Sequence, residues 1–247
     1  MNVLIWIIGA TFLVSLIAFV GAAGLAIKTK ILNKILLILV GFSAGALMGG
    51  AFIHLIPEAI EGTSLSVVFL WVLIGFSLFF LIERVLKWHH CHKGKCDVHT
   101  LGQMNLIGDG VHNFIDGLII AAAFLVNIPF GVVTTIAIIS HEVPQEIGDF
   151  GVLVYGGFSK IKALIYNFLS ALVAVIGAVA GYFLSALTNG FTSLLIPFAA
   201  GGFIYIAGSD LIPELHKERD LKKSILSYGF FIIGIIFMFI VKLIFGG

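Results

Sequence analysis

Charge is what this sequence has least of. Only 11% of its 247 residues are Asp, Glu, Lys or Arg, against 60% apolar residues, and the mean hydropathy is +1.15. Too little polar surface is left to solvate a water-soluble domain of this size, so the composition indicates an integral membrane protein. The net charge of +1 by itself says nothing of a nucleic-acid partner, and none is expected. Two cysteines, Cys91 and Cys96, are too few for a disulfide framework. The glycines form no phosphate-binding loop, so a nucleotide-driven machine is excluded and any transport must run on electrochemical gradients.

What is abundant is uninterrupted apolar sequence. Eight runs reach the roughly twenty residues needed to cross a bilayer, at about 3–27, 33–57, 65–87, 101–125, 130–157, 163–187, 192–212 and 224–245. The expectation is an all-α, eight-helix, multi-pass protein with residues 1–247 in a single transmembrane domain. The first run lacks a basic start and is too long for a signal peptide, so it is read as a retained span. Lys28, Lys30 and Lys34 follow the first run; Arg84, Lys87, Lys93 and Lys95 the third; Lys160 and Lys162 the fifth; Lys217, Arg219, Lys222 and Lys223 the seventh. These connections share one face, which the positive-inside rule makes cytoplasmic. Both termini of a cell-membrane protein would then lie outside. Lys242 alone breaks the pattern.

A segment is written twice. Phe42-Ser-Ala-Gly45 through His54-Leu-Ile-Pro57-Glu58 returns without gaps, 156 residues on, as Phe198-Ala-Ala-Gly201 through Asp210-Leu-Ile-Pro213-Glu214. The copies fall on the second and seventh runs, so they cross the membrane in opposite directions. Inverted repeats of this kind build secondary transporters, with sites near the midplane.

The fourth and fifth runs hold what lipid should exclude. Each ionisable side chain inside a span costs roughly 2.5–3.5 kcal/mol on insertion scales, so such groups rarely persist without a role. His112, Asn113 and Asp116 share one helical stripe of the fourth run; His141, Gln145 and Asp149 share one of the fifth, with Glu142 and Glu146 beside it. Imidazole, carboxylate and amide together suit a borderline divalent metal such as zinc, whereas calcium would take an all-oxygen shell and copper(I) sulfur. Pro144 has no amide proton, so the fifth helix must satisfy a freed backbone group from elsewhere.

These residues resemble the ZIP (Zrt/Irt-like) divalent-metal transporters, above all their histidine-rich branch, which carries His-Asn-x-x-Asp-Gly on the fourth helix and His-Glu-x-Pro-x-Glu-x-Gly-Asp on the fifth. The resemblance spans essentially all eight runs. It implies a three-two-three arrangement with helices 1–3 and 6–8 inverted, a frequent homodimer, and metal passing between helices as a transport bundle moves against a scaffold. Carried over by position, the primary site would use His112, Asp116, His141 and Gln145. A second would draw on Asn113 and Glu142 while sharing Asp116 and Gln145. Many relatives have His where Gln145 stands, others a bridging Glu. Two-metal members add a Glu on the sixth helix, aligned here with Ala174, so one principal site is expected.

Further polar residues lie toward the ends. The resemblance places His54, with Glu58 nearby, at the entrance; Asp210 and Glu214 could serve an exit, and Asp109 sits one turn from His112. Residues 88–100, with His89, His90, Cys91, His92, Cys96 and His99, read as a cytoplasmic His/Cys loop that handles metal weakly. The function expected is uptake of zinc, with cadmium, iron or manganese as further substrates and no cofactor. Two other readings are a metal-gated channel or sensor, and an intramembrane protease. The protease motif needs a second His where Gln145 stands, so an enzyme is not expected.

Overall fold

The computed structural model describes residues 2–24, 29–90, 98–187 and 190–245. Among these every regular element is a helix. The helices are α1 (Val3–Ala22), α2 (Lys34–Glu61), α3 (Leu65–His90), α4 (Val98–Val126), α5 (Ile128–Tyr155), α6 (Lys160–Leu187), α7 (Phe191–His216) and α8 (Leu221–Phe245). Seven of the eight are long and apolar enough to cross a membrane among the described residues; α5 is the exception. At 28 residues it spans about 42 Å, so length is not what it lacks. Its second half carries His141, Glu142, Gln145, Glu146 and Asp149, and these lower its apolarity. The central segment of the expected His/Cys loop, residues 91–97, lies outside the described residues.

Asn127 alone separates α4 from α5. Its side chain accepts from the Phe130 amide at 2.8 Å and Pro129 takes an early helical position, so one residue caps α5 and reverses the chain. The two motif-bearing helices are therefore antiparallel neighbours. Around them α4 packs on α6, α1 on α5, α2 on α8 and α3 on α7.

Glycine sets these approaches, and in corresponding pairs. A Cβ on Gly45 would stand 1.9 Å from the Phe231 carbonyl oxygen, and one on Gly201, 156 residues on, 2.0 Å from that of Val72. Gly234 meets the Phe42 carbonyl as Gly75 meets that of Phe198. Gly21 presses on the α5 backbone at Glu146, and Gly177, again 156 residues on, on the α4 backbone at Phe114. Any side chain there would push the helices apart.

Proline shapes the two repeated helices alike. Ahead of Pro57, α2 widens into a π-helix at Gly50–Leu55; ahead of Pro213, α7 does so at Ile206–Leu211. The π turn accommodates the missing amide. In α5, Pro144 lies inside a continuous helix. It leaves the Ser140 carbonyl without its helical donor, and the Ser43 hydroxyl of α2 donates to that carbonyl instead. The freed group expected from the sequence is thus satisfied across a helix interface.

Candidate metal site

The α4 and α5 stripes meet in a cluster of four: His112, Asp116, His141 and Glu142, each offering one ligand atom within 4.8 Å of every other. His112 Nε2 lies 3.1 Å from His141 Nε2, 3.3 Å from Glu142 Oε1 and 3.6 Å from Asp116 Oδ2. His141 Nε2 is 3.2 Å from Asp116 Oδ2 and 3.5 Å from Glu142 Oε1. A tetrahedral zinc ion with bonds of about 2.0–2.1 Å has ligand atoms about 3.3–3.4 Å apart. Five edges of the donor set therefore already have the dimensions of a zinc site.

The hydrogen bonding points the same way. Both carboxylate oxygens of Asp116 and both of Glu142 are buried without a hydrogen-bond partner among the described residues. Orphaned acceptors at this depth are expensive, and a divalent cation would satisfy them together. Asp116, His141 and Glu142 keep only 1% of their side-chain surface exposed, whereas His112 keeps 15%, so His112 is the ligand with an open side. The Phe203 ring of α7 lies 6.0 Å from that of His141.

Glu142, expected to serve a second site, stands in the cluster of His, Asp and Glu donors, whereas the amide nitrogen of Gln145, expected in the primary set, is not turned on it. The Gln145 amide instead faces Asp109 Oδ1 at 3.4 Å. The reason is that two neighbouring rows of α5 both face α4, and the carboxylate of one row reaches the same point as the imidazole of the other. Asn113 donates to the Asp109 carbonyl and carboxylate at 3.1 and 2.9 Å, so Asp109, Asn113 and Gln145 form a separate polar group beside the ligands. Asp149 accepts from Asn105 at 3.0 Å, and Glu146 from Asn167 of α6.

Asn167, Asn105 and Ser43 do not stand out in the sequence. Their signal is nonetheless present, since each is a polar side chain inside an apolar run. Ala174, where two-metal relatives carry Glu, is fully buried with its backbone against Gly117. The entrance and exit candidates lie apart from the cluster. His54 is buried with Nε2 at 2.8 Å from the Met238 carbonyl of α8. Glu58 lines two cavities at the end of α2, and Asp210 is exposed at the far end of α7.

A family profile described as ZIP zinc transporter matches residues 1–97 and 87–242. The zinc transporter ZIP13 homolog of Drosophila melanogaster is 29% identical over 280 residues, covering 86% of this chain and 79% of that protein. Zinc transporter ZIP13 of Pongo abelii is 33% identical over 83% of this chain and 66% of its own length. Human zinc transporter ZIP10 is 36% identical over 64% of this chain, which spans only 21% of that longer protein.

Proposed function

The chain belongs to the ZIP zinc transporter family, and from that premise we propose that it carries zinc into the cytoplasm through the four-ligand cluster between α4 and α5. The observation that carries the reading is the set of five donor separations from 3.1 to 3.6 Å around four orphaned carboxylate oxygens. Two imidazoles and two carboxylates form a borderline-hard donor set suited to zinc and tolerant of cadmium, iron or manganese. Zinc is cargo here, and its ligands must release it again.

The inverted three-two-three arrangement is supported by the matched glycine contacts and by the paired π segments of α2 and α7. The basic connections support a cytoplasmic face shared by the α1–α2, α3–α4, α5–α6 and α7–α8 loops, with both termini outside. A negative interior favours inward movement by about 2.3 kcal/mol per charge per 100 mV, twice that for a divalent ion. The family resemblance extends to a homodimer.

A protease reading finds no support in the geometry. Gln145 is turned to Asp109, and Glu142 lies among the ligands rather than free to act as a general base.

The direct test is zinc uptake into proteoliposomes loaded with a zinc-sensitive dye, wild type beside His141→Ala. The expected result is uptake by the wild type and none by the variant. Wild-type-like uptake by a folded His141→Ala protein would remove the cluster from the path. A channel would show itself as single-channel current in place of saturable flux.

A further inference from the structure

Two cavities meet at Glu58 and Glu61. One, of about 350 Å³, is lined by His54, Glu58, Glu61, Asn127, Phe130 and Lys242 among others; the second, of about 290 Å³, adds Thr192 and Ser193. In the orientation proposed above, this is the mouth that faces the outside.

Lys242 is the anomaly there. It is the one charged residue in the long apolar stretch of α8 after Lys223. Its ammonium donates to the Ile53 carbonyl of α2 at 2.8 Å. That carbonyl lies within the π segment that accommodates Pro57. The next residue, His54, is bonded to Met238, one turn before Lys242 on α8. Two crossed bonds therefore hold the mouth of α2 against α8, and one of them sets a positive charge among the imidazole and carboxylates of a cation's mouth.

The matching helix pair, α7 with α3, makes a different choice at the corresponding station. Gly234 and Gly75 occupy matching contacts, so the registers of α8 and α3 differ by 159 residues and Lys242 corresponds to Glu83. Glu83 accepts from the Tyr205 hydroxyl. The packing is shared, but the charge is reversed.

We propose that Lys242 sets the admission of metal: a tethered ammonium that competes with the incoming divalent cation for the acceptors of the mouth, so that zinc is held weakly there and passed on. A permeation path needs sites that bind well enough to fill and weakly enough to empty. This rests on the inward direction proposed above. The positive charge would also oppose the accumulation of cations that Glu58 and Glu61 favour.

The test uses Lys242→Met, Lys242→Arg, and Lys242→Met combined with Pro57→Ala, which returns an amide donor to the carbonyls ahead of residue 57. Lys242→Met is expected to lower the KM for zinc uptake about three- to tenfold, with Lys242→Arg keeping the wild-type KM. In a His141→Ala background, where the central cluster is disabled, Lys242→Met is expected to add zinc binding that a competing dye detects at equilibrium. If Lys242 is only a helix clamp, the Met variant will lose thermal stability, the Pro57→Ala addition will restore it, and neither KM nor binding will tighten. That outcome overturns the proposal. The binding experiment does not depend on transport. A wild type that takes up no zinc would therefore defeat the functional reading, while the dye titration would still decide the role of Lys242.

Discussion

Two regions of this molecule set histidine beside carboxylates, and they use them in opposite ways. At the α4–α5 cluster, His112 and His141 face Asp116 and Glu142 at 3.2–3.6 Å, and all four carboxylate oxygens lack hydrogen-bond donors among the described residues. At the α2 mouth, Nε2 of His54 is engaged by the Met238 carbonyl, and Lys242, the cation near Glu58 and Glu61, is bonded to the Ile53 carbonyl. The first region is an arrangement of unmet demand that a cation would satisfy. The second has its strong donors committed to backbone and stays coherent without one. The same residue types offer a cation many free acceptors or few according to how far their polar atoms are already satisfied.

The largest expected effect breaks the cluster itself. Asp116→Ala or His141→Ala should weaken equilibrium zinc binding by about 100-fold or more, since loss even of groups that only support ligands costs 10–100-fold. His54→Ala, measured in the same titration, should leave the affinity of the cluster within about twofold of wild type. Equal losses at the two positions would erase the distinction between them.

Acidification should give the next largest effect. Zinc needs unprotonated ring nitrogens at His112 and His141, so protons compete with the metal and binding weakens as pH falls. Each proton that zinc displaces on binding should add up to about tenfold per pH unit to that loss of apparent affinity. Titrations with a pH-insensitive probe between pH 7.5 and 5 would show the slope. A flat profile would count against a histidine-based site.

Smaller effects should appear in stability. Asn167→Leu removes the α6 amide that donates to the buried Glu146 carboxylate, and should destabilise the protein by about 1–3 kcal/mol. Ser43→Ala strips the donor from the proline-freed Ser140 carbonyl and should cost about 0.6–1.7 kcal/mol, the range for interhelical bonds in membranes. Adding Pro144→Ala should recover most of that loss by returning an amide to α5. Thermal denaturation in detergent would read both, and the absence of recovery would show that the Ser43 bond serves something other than the proline defect. The smallest effect expected is from Gln145→Ala on zinc affinity, because that amide faces Asp109 rather than the cluster.

The helices were legible in the sequence because burial in lipid leaves so few options. Apolar runs must be helical, basic connections bias orientation, and His112, Asp116 and His141 stood out as charges where charge is costly. The repeat in α2 and α7 was legible too, through Leu-Ile-Pro-Glu at a fixed offset. The likeness of α3 and α8 was not, since Gly75 and Gly234 share almost no flanking identity and are matched only by what they touch. Spacing put His141 and Gln145 on one stripe and the family resemblance made Gln145 a ligand, but spacing along one helix says nothing of where the opposing helix sits.

By itself, then, the sequence determined that this is a multi-pass helical membrane protein and set metal-ligating residue types in its fourth and fifth apolar runs. Periodicity and the cost of charge in hydrocarbon act locally, along one helix at a time. Only the tertiary structure decided that Glu142 joins the cluster while the Gln145 amide turns to Asp109, that Ser43 serves the carbonyl Pro144 frees, and that Lys242 stands in the mouth. Those outcomes depend on distances between helices, which are set by glycine contacts far apart in the chain and written in no single segment of it.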